Sequence, residues 1–496
     1  MFKKILIANR SEIAVRVIKA CREIGIKSVA VYSDVDSNAL HVRLADESVP
    51  LYGNTAIETY LNFEKIVDAA KKTNCEAIHP GYGFLSENSE FIRYVTDSGL
   101  KFIGPSSESV KLMGNKIAAR ELMKKHNVPI VPGVETEIDS KEKLIEIANQ
   151  VGYPLLIKAA AGGGGKGMRV VNTENDLIQN FELAQNEAEK AFKDKSVYIE
   201  KFIANPKHIE VQVLADEFGN YRHLFERECS LQRRHQKIIE EAPSVSLNDE
   251  QRNFVVNAAI KAAKACGYFN IGTVEFLFDG KNFYFLEMNT RVQVEHPITE
   301  MITGFDIVKE QIRIAAGNKI SFEQSEVIIN GASIEARIYA ENPYENFMPS
   351  FGTIKEFRAP FGPGIRFDTG IDQYSTVPVY YDPILAKLIA WGRTRDEAIN
   401  RLIAALKETI ITGVVTNIPF NLWLVESDDF RLNKFNTQYI MKKLNEIGEN
   451  SWAGISEEEI NELTFILDHI SKQTTVTNKF TYSGIKSNWL KRRFER

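Results

Sequence analysis

The chain has 496 residues, of which 44% are hydrophobic and 26% charged, with a formal net charge of −5. This length exceeds one ordinary domain, so we expect three or more domains in a soluble globular protein. The slightly acidic balance argues against non-specific binding to nucleic acid. No apolar run is long enough to span a membrane, and the N-terminal run ILIA is too short for a signal peptide.

The first 114 residues alternate strand and helix patterns. Strands are predicted in KKILIA, KSVAVYS, CEAIHP and LKFIGP, and helices in EIAVRVIKACREIG and LNFEKIVDAAKKT. This alternation is typical of a parallel sheet that is covered on both faces. Asn9, with Glu12 three residues later, forms a candidate capping box for the first helix. The first turn lacks GxGxxG, so the unit is predicted to be Rossmann-like without a nicotinamide site.

Two further units and an extension follow. Residues 115–330 contain a helix in KIAARELMKKH, strands in YPLLIKAA, MRVV and VYIEKFI, a helix near 174–193, and later strands in HIEVQVLAD, GTVEFLFDG and NFYFLEMN. Residues 331–447 mix strands such as ASIEARIYA with the helix TRDEAINRLIAALKETI. Residues 448–496 are predicted to form a helix followed by a basic tail. The predicted fold class is therefore α/β and α+β, with several domains.

A glycine-rich loop separates two strands of the second unit. Five glycines fall within residues 162–167, in the segment KAAAGGGGKGMRVV. Such a loop lets backbone N–H groups approach a phosphate, but it also fits a flexible hairpin connection, and the loop alone leaves both interpretations open. It is not a Walker loop, because no Ser or Thr follows its lysine and a strand follows the loop.

Several charged residues of the second unit are candidates for binding a nucleotide. Lys116 and Lys158 are suitable companions for a phosphate lid. Lys158 ends the apolar strand YPLLIK, and in the simpler interpretation its ammonium reaches solvent. Glu200 and Lys201 follow the apolar strand VYIEKFI and are placed to contact a purine.

Two acids face each other in a predicted hairpin. If Gly280, Lys281 and Asn282 form the turn, Glu275 lies directly opposite Glu287. Opposed like charges destabilise a hairpin, and a divalent cation such as Mg²⁺ removes the penalty. The alternative is a half-buried strand whose polar face meets water. The opposed acids favour the metal, and Asn289 points to the same face.

The segment after the hairpin, RVQVE, carries a cation, an amide and an acid at alternate positions. An extended chain from Glu287 to Glu295 would span roughly 26 Å, which is too long for one small site, so we expect a bend after Asn289. Bent, the segment would gather Arg291, Gln293 and Glu295 around an anion. A guanidinium binds planar oxyanions in a fork, and a neighbouring carboxylate can accept a proton.

A basic cluster occurs in CSLQRRHQKIIEEAP, residues 229–243. It contains Gln232, Arg233, Arg234, His235 and Lys237, and its alternative interpretation is a solvated charged loop. No histidine has metal-ligand spacing to another His or Cys, and GxSxG is absent. The four cysteines also lack CxxC spacing, which fits the reducing cytosol and predicts a cytoplasmic protein.

The combination of motifs resembles a known family. IANRSEIAVRVI, HPGYGFLSEN, FIGPS, LMGNK, KAAAGGGGKGMRVV, SLQRRHQK, EAPS and EMNTRVQVEHPITEMITG are similar to the biotin carboxylase component of biotin-dependent carboxylases, in the ATP-grasp superfamily. The resemblance covers residues 1 to about 445. Ser11 stands where the family usually has glycine, and a serine at a helix start is expected to be harmless.

The resemblance implies domain extents and site residues. It implies a Rossmann-like N-terminal domain at 1–114, an ATP-grasp domain at 115–330 with a lid at about 131–203, a C-terminal domain at 331–447 and an extension at 448–496. The implied ATP ligands are Lys116, Lys158, Gly163, Gly164, Gly165, Glu200, Lys201, His208, Gln232 and His235. Mg²⁺ or Mn²⁺ would be held by Glu275, Glu287 and Asn289, bicarbonate by Lys237, Arg291, Gln293, Val294 and Glu295, and biotin by Tyr82 and Arg337.

The resemblance also implies a mechanism and partners. Glu295 would deprotonate bicarbonate, which attacks MgATP to give carboxyphosphate, and Arg337 would stabilise the biotin enolate, with Lys237 and Arg291 completing the catalytic set. No AMKM-like biotinylation sequence occurs; the nearest string is IMKKL at 440–444. We therefore expect biotin to arrive on a separate carrier protein, with a carboxyltransferase subunit as a further component of a multi-subunit pyruvate or acyl-CoA carboxylase. The resemblance also implies a homodimer.

Two other functions compete with this interpretation. Another ATP-grasp ligase, such as a purine-pathway carboxylase or a carbamoyl-phosphate enzyme, would share the lysines, the lid and the paired acids, but would not need RRHQK, RVQVEH and Arg337 together. A non-catalytic nucleotide-binding regulator would not need both metal acids and Glu295.

Overall fold

A computed structural model of the chain describes residues 1–134, 140–159, 168–192 and 194–447. Gly163, Gly164 and Gly165 of the predicted lid lie outside the described residues, as do the helix and basic tail predicted for 448–496. No helix in the described ranges combines the length and apolarity that crossing a membrane requires.

The N-terminal unit is the predicted parallel sheet. Its five strands lie in the order β3-β2-β1-β4-β5, and every neighbouring pair is parallel. Both faces are covered, because Ile5 and Ile7 pack into one core cluster and Leu6 into another. In chain order the elements are β1 Lys4–Ile7, α1 Ser11–Glu23, β2 Lys27–Tyr32, α2 Leu40–Leu44, β3 Glu47–Pro50, α3 Phe63–Lys72, β4 Ala77–His79, α4 Ser89–Asp97, β5 Lys101–Phe102 and α5 Ser107–Gly114.

The capping box predicted at Asn9 is wrong. The N-cap of α1 is Arg10, which makes no side-chain cap hydrogen bond. The Asn9 amide instead donates to the carbonyl oxygens of Pro80 and Tyr82, both at 2.7 Å, and Glu12 accepts from the Tyr82 hydroxyl. Both polar side chains thus tie the start of α1 to the loop after β4, and this long-range use outweighs local capping.

Ser11 is also not the harmless helix-start serine that we expected. Its φ is +58°, in the left-handed region that glycine adopts freely and other residues adopt at a cost of about 1–3 kcal/mol. A Cβ on Gly370 would lie 2.2 Å from the Ser11 hydroxyl oxygen, so glycine at 370 leaves room for the serine.

The predicted lid region forms a small separate sheet. Four strands lie in the order β6-β9-β7-β8, and Leu155 and Ile157 of the central pair pack against Leu144 and Phe181 of two helices. The elements are α6 Lys116–Lys125, β6 Gly133–Val134, α7 Lys141–Val151, β7 Leu155–Ala159, β8 Arg169–Val171, α8 Leu177–Phe192 and β9 Val197–Lys201.

A second, antiparallel sheet carries most of the site. Its eight strands lie in the order β14-β13-β10-β11-β12-β15-β22-β20, so one continuous sheet runs from residues 207–289 into residues 332–392. Its first half and the neighbouring helices comprise β10 Lys207–Ala215, β11 Tyr221–Arg233, β12 Gln236–Ala242, α9 Asp249–Ala265, β13 Asn270–Phe278, β14 Phe283–Asn289, α10 His296–Thr303 and α11 Ile307–Ala315.

The C-terminal part adds short strands and a helical layer. Leu388 of the sheet packs in one core cluster with Leu402 and Phe420 of two helices. The elements are β15 Ala332–Tyr339, β16 Glu341–Asn342, β17 Met348–Pro349, β18 Gly352–Thr353, β19 Glu356–Arg358, β20 Ile365–Thr369, β21 Thr376–Val377, β22 Ile384–Gly392, α12 Arg395–Glu408, β23 Ile410–Thr412, α13 Ile418–Glu426, α14 Asp428–Arg431 and α15 Tyr439–Ile447.

Candidate active site

The predicted opposition of two acids in the β13–β14 hairpin is confirmed. Glu275 pairs with Glu287 in the register of the two strands. The predicted turn is wrong, because Phe278 pairs with Phe283 and the loop includes Asp279, whose carboxylate accepts from the N–H groups of two loop residues. A bulge at Leu286 adds one residue to β14 and restores the register at the acids.

The protein itself neutralises one of these two acids. Glu275 accepts from Lys237 Nζ at 3.0 Å and from the amides of Asn289 and Gln293, both at 2.8 Å, and His208 Nε2 lies 3.1 Å away. Burial opposes ionisation of Glu275, but Lys237 and His208 outweigh it and hold its pKa well below the ordinary value. The repulsion between the two acids is therefore relieved in part by the ammonium group of Lys237, and not by a metal alone as we expected.

Glu287 has the opposite surroundings. Within the described ranges its half-buried carboxylate has no hydrogen bond or ion pair, and burial and the charge of Glu275 raise its pKa. An acid without a protein partner, opposite a second carboxylate and facing a cavity, fits a hard cation with oxygen ligands. The residues present thus fit Mg²⁺.

The bend predicted after Asn289 is confirmed. β14 ends at Asn289, and α10 begins at His296 with Glu295 as its N-cap residue. The bend is held from the N-terminal unit, because Glu87 accepts from Arg291 Nε at 2.8 Å and from the Thr290 N–H at 2.9 Å. Arg291 is therefore already paired with a carboxylate on one edge of its guanidinium.

Lys237 is the electrostatic centre of the site. Its Nζ lies 2.5 Å from Glu210, 3.0 Å from Glu275 and 2.5 Å from Glu295. Burial lowers the pKa of Lys237, but these three acids raise it further, so the ammonium stays charged. Arg227, which is fully buried, supports the same group by donating to Glu210 at 2.5 Å.

Glu295 lies between two cations. Besides Lys237, it accepts from Arg337 Nη2 at 3.0 Å. Burial raises the pKa of Glu295, but Lys237, Arg337 and Arg227 outweigh burial and hold it well below the ordinary value. Arg337 is fixed in turn, since its Nε donates to Glu240 at 2.5 Å and its carbonyl oxygen accepts from Asn421.

The expectation that Lys158 reaches solvent is wrong. Lys158 is 9% exposed and forms an ion pair with Glu200 of the neighbouring strand β9. Arg120 also donates to Glu200, at 3.2 Å. Lys201 donates to the carbonyl oxygens of Gly152 and Tyr153, so its ammonium is tied to the backbone.

Most predicted site residues line two adjoining cavities. The larger, of about 400 Å³, is lined among others by Lys116, Lys158, His208, Gln232, His235, Lys237, Glu275, Glu287, Asn289, Arg291, Gln293, Val294, Glu295 and Arg337. A cavity of about 220 Å³ shares four of these residues and adds Glu200 and Lys201. Tyr82 lines neither, and its hydroxyl is bound to Glu12.

Several residues of the site carried no usable signal in the sequence. Glu210 and Arg227 stand in strand patterns where a charged residue is expected to face solvent, yet both are fully buried. Thr437 and Gln438, in the loop before α15, line the smaller cavity from the far end of the chain. Glu87 is brought to Arg291 from a different unit, 204 residues away in sequence.

Comparisons with known proteins agree with this architecture. Residues 1–110 match the model for the biotin carboxylase N-terminal domain, residues 115–323 that for the carbamoyl-phosphate synthase L chain ATP binding domain, and residues 335–442 that for the biotin carboxylase C-terminal domain. The middle model is named for carbamoyl-phosphate synthase, whereas the two flanking models are both named for biotin carboxylase.

Named relatives extend the likeness along most of the chain. Biotin carboxylase 1 of Bacillus subtilis is 51% identical over 442 residues, covering 89% of this chain and 98% of the relative. A pyruvate carboxylase subunit of Methanothermobacter thermautotrophicus is 51% identical, covering 89% and 90%. The crystal structure of the biotin carboxylase domain dimer of Hydrogenobacter thermophilus 2-oxoglutarate carboxylase, with MgADP, ADP and bicarbonate, superposes with a TM-score of 0.85 at 49% identity, covering 91% and 99%.

Fold and site together define an ATP-dependent ligase of the ATP-grasp type. The small four-stranded sheet, the paired acids on β13 and β14 and the lysine-lined cavity are its structural features. The chain belongs to the biotin carboxylase family, and its reaction is the ATP-dependent carboxylation of biotin.

Proposed function

We propose that this chain carboxylates biotin on a separate carrier protein in two steps, with Glu295 as the base and Arg337 as the group that stabilises the biotin enolate. The observation that carries the proposal is the position of Glu295, which is 2% exposed, lines the large cavity and lies between Lys237 and Arg337. A carboxylate held ionised beside two cations can accept a proton next to a bound anion.

The nucleotide would occupy the two adjoining cavities. Lys116 and Lys158 would approach its phosphates under a lid that includes Gly163, Gly164 and Gly165. The purine end would lie in the smaller cavity, among the residues Glu200, Lys201, His208, Gln232 and His235. Glu275, Glu287 and Asn289 would hold Mg²⁺, or Mn²⁺, which neutralises charge on the phosphates when bound.

Bicarbonate would bind at the bend after β14. Arg291, Gln293, Val294 and Lys237 would surround it, and Glu295 would remove its proton. The freed oxyanion attacks the γ-phosphorus of ATP, the bond to ADP breaks, and carboxyphosphate forms. Little covalent chemistry falls to the protein in such a transfer, so the fixed lysine and arginine charges act mainly by positioning and neutralisation.

Carboxyl transfer would follow in the closed cavity. Carboxyphosphate separates into CO₂ and phosphate, and the phosphate takes the proton from the ureido nitrogen of biotin. Negative charge then develops on the ureido oxygen, where Arg337 stabilises it, and the nitrogen forms its bond to CO₂. Tyr82 would meet the biotin ring. Because Tyr82 does not line the larger cavity, it would make this contact from a position beside the cavity.

The partners would be a biotin carrier protein and a carboxyltransferase subunit. The names of relatives support a multi-subunit enzyme, because one belongs to a pyruvate carboxylase and another is a 2-oxoglutarate carboxylase small subunit. A relative crystallised as a dimer supports a homodimer. Four free, buried cysteines support a cytoplasmic location.

The assignment is tested by separating the two steps. ATP hydrolysis by the purified chain should require bicarbonate and respond to free biotin. Arg337→Ala should retain ATP binding but lose biotin carboxylation by about 100-fold or more, since it removes a charged donor from a developing oxyanion. Arg358→Ala, at an exposed strand position, is the matched control. Normal carboxylation by Arg337→Ala would refute the role of Arg337.

A further inference from the structure

Another pair of acids faces across two neighbouring strands beside the active site. Glu240 of β12 lies directly opposite Glu335 of β15 in the antiparallel register. Both side chains are fully buried. This is the same local arrangement as Glu275 and Glu287, but it lies outside the residues that line the two site cavities.

The two acids differ in their contacts. One oxygen of Glu240 accepts from Arg337 Nε at 2.5 Å, while its other oxygen has no partner in the described ranges. Neither oxygen of Glu335 has a hydrogen-bond partner among the described residues. Lys387 of β22 donates instead to the Val294 carbonyl oxygen at 2.9 Å.

Two buried charges cannot be sustained in this arrangement. Opposed like charges repel, and a buried carboxylate without a partner is costly unless it is protonated. Burial raises the pKa of Glu240 to about 7 although Arg337 opposes the rise, whereas Glu335 has no hydrogen-bond partner among the described residues, so Glu335 is the member that carries the proton. Burial raises the pKa of Glu335 well above its ordinary value, with Lys387 and Arg337 opposing and Glu240 and Glu295 adding to the rise.

The contact between Glu240 and Arg337 matters because the other acid on Arg337, Glu295, changes its charge during the proposed reaction. Arg337 is held by Glu295 at one edge and by Glu240 at another. In the proposed reaction Glu295 takes up a proton and stops being a counterion, just before Arg337 is needed for the biotin enolate. Glu240 does not line the cavity and is not part of that proton transfer.

We propose that Glu240 is a positioning residue, whose contact with Arg337 Nε keeps that side chain in place during the biotin half-reaction, and that Glu335 is its neighbour without a partner among the described residues. The proposal rests on the assigned role of Arg337. Among the described residues the Glu240 carboxylate has Arg337 as its hydrogen-bond partner, so its effect falls mainly on carboxyl transfer.

The test measures the two half-reactions separately in Glu240→Gln, which keeps the shape and removes the charge. We expect kcat for carboxylation of free biotin to fall by about 10- to 100-fold, the range for partners that orient a site residue. The KM for ATP and bicarbonate-dependent ATP hydrolysis without biotin should stay within about two-fold. Glu335→Gln is the matched control and should stay within about two-fold in both assays, because an amide resembles a protonated carboxyl group.

A double-mutant cycle with Arg337→Lys separates this role from general destabilisation. Glu240→Gln should add nothing to the loss caused by Arg337→Lys, because both act through one contact. Additive losses, equal damage to ATP hydrolysis, or equal loss in Glu335→Gln would each overturn the proposal. If Arg337→Ala itself carboxylates biotin normally, the proposed function fails; if Arg337→Ala is inactive and Glu240→Gln fully active, only the role of Glu240 fails.

Discussion

Two of the opposed glutamate pairs in the antiparallel sheet, which also pairs Glu210 with Glu275 and Glu228 with Glu241, have different surroundings. In the β13–β14 pair, Glu275 is neutralised by Lys237, and Glu287 faces the cavity without a protein partner among the described residues. In the β12–β15 pair, both acids are enclosed, and of these two acids Glu240 is the one that accepts a hydrogen bond from Arg337. The same pairing of acids thus leaves one carboxylate at a cavity, without a protein partner among the described residues, in one place and gives one buried acid in contact with Arg337 in the other. Access to the cavity, rather than the pairing of acids, decides which role is available.

The largest expected effect is on the rate of ATP hydrolysis, which should fall when the β13–β14 pair is changed but not when the β12–β15 pair is changed. Glu287→Gln should reduce bicarbonate-dependent ATP hydrolysis by about 100-fold or more, because a metal stabilises the transferring phosphoryl charge by several kcal/mol. Glu335→Gln, in the enclosed pair, should stay within about two-fold. Steady-state rates across a Mg²⁺ titration check both values. Equal rates for the two variants would remove the distinction between the pairs.

Substitution of Lys237 tests which group neutralises the β13–β14 pair. Lys237→Met should lower the unfolding free energy by about 3–5 kcal/mol, because it leaves buried carboxylates without their cation. It should also raise the pKa of Glu295, which Lys237 holds low, so the acidic limb of the pH–rate profile moves to higher pH.

Denaturant unfolding and pH–rate profiles measure these two effects. Lys207→Met is the matched control, since Lys207 pairs with Glu228 outside the larger cavity. It should lose stability without moving the acidic limb. An unmoved limb in Lys237→Met would show that Glu295 is not the titrating base.

Ligand binding gives a third contrast. Mg²⁺ with a non-hydrolysable ATP analogue should raise the Tm of the wild type and of Glu335→Gln, by an amount equivalent to about 2.7 kcal/mol at one hundred times Kd. Glu287→Gln should show a much smaller rise with Mg²⁺. The analogue without Mg²⁺ is the control, and it should affect all three proteins alike. An equal Mg²⁺ response in Glu287→Gln would place the ion elsewhere.

The smallest effect is the pH dependence of stability from the enclosed pair. Because the folded-state pKa of Glu335 is raised, the native state retains a proton that the unfolded chain releases above about pH 4.5. The wild type therefore loses stability as pH rises towards the folded pKa, and Glu335→Gln lacks this contribution but keeps those of Glu240 and Glu241, whose pKa values burial raises to about 7. The gap between them should widen by up to about 1.4 kcal/mol per pH unit. Denaturation curves from pH 4.5 to 8 measure it, and a constant gap would show that Glu335 is ionised.

The sequence predicted best those parts of the fold and site that are formed by residues close together in the chain. The parallel sheet follows from the alternation of strands and helices, and the pairing of Glu275 with Glu287 follows from a short hairpin. That register was right although the turn was wrong, because the bulge at Leu286 compensated for the extra loop residue Asp279. Local pattern fixes which face a side chain occupies, but it does not reveal a bulge.

What the sequence by itself determined was the class of enzyme and the chemical groups of its site: lysines, paired acids, an arginine and a base. What only the tertiary structure decided was which of these groups neutralise each other. Lys237 meets acids 27, 38 and 58 residues away in sequence, and Arg337 meets Glu240 over a separation of 97 residues. The physical reason is that a charge is set by burial and by its nearest opposite charges. The three acids around Lys237 come from two other strands and from the N-cap of α10, so only the fold brings Lys237 to these acids and Arg337 to Glu240.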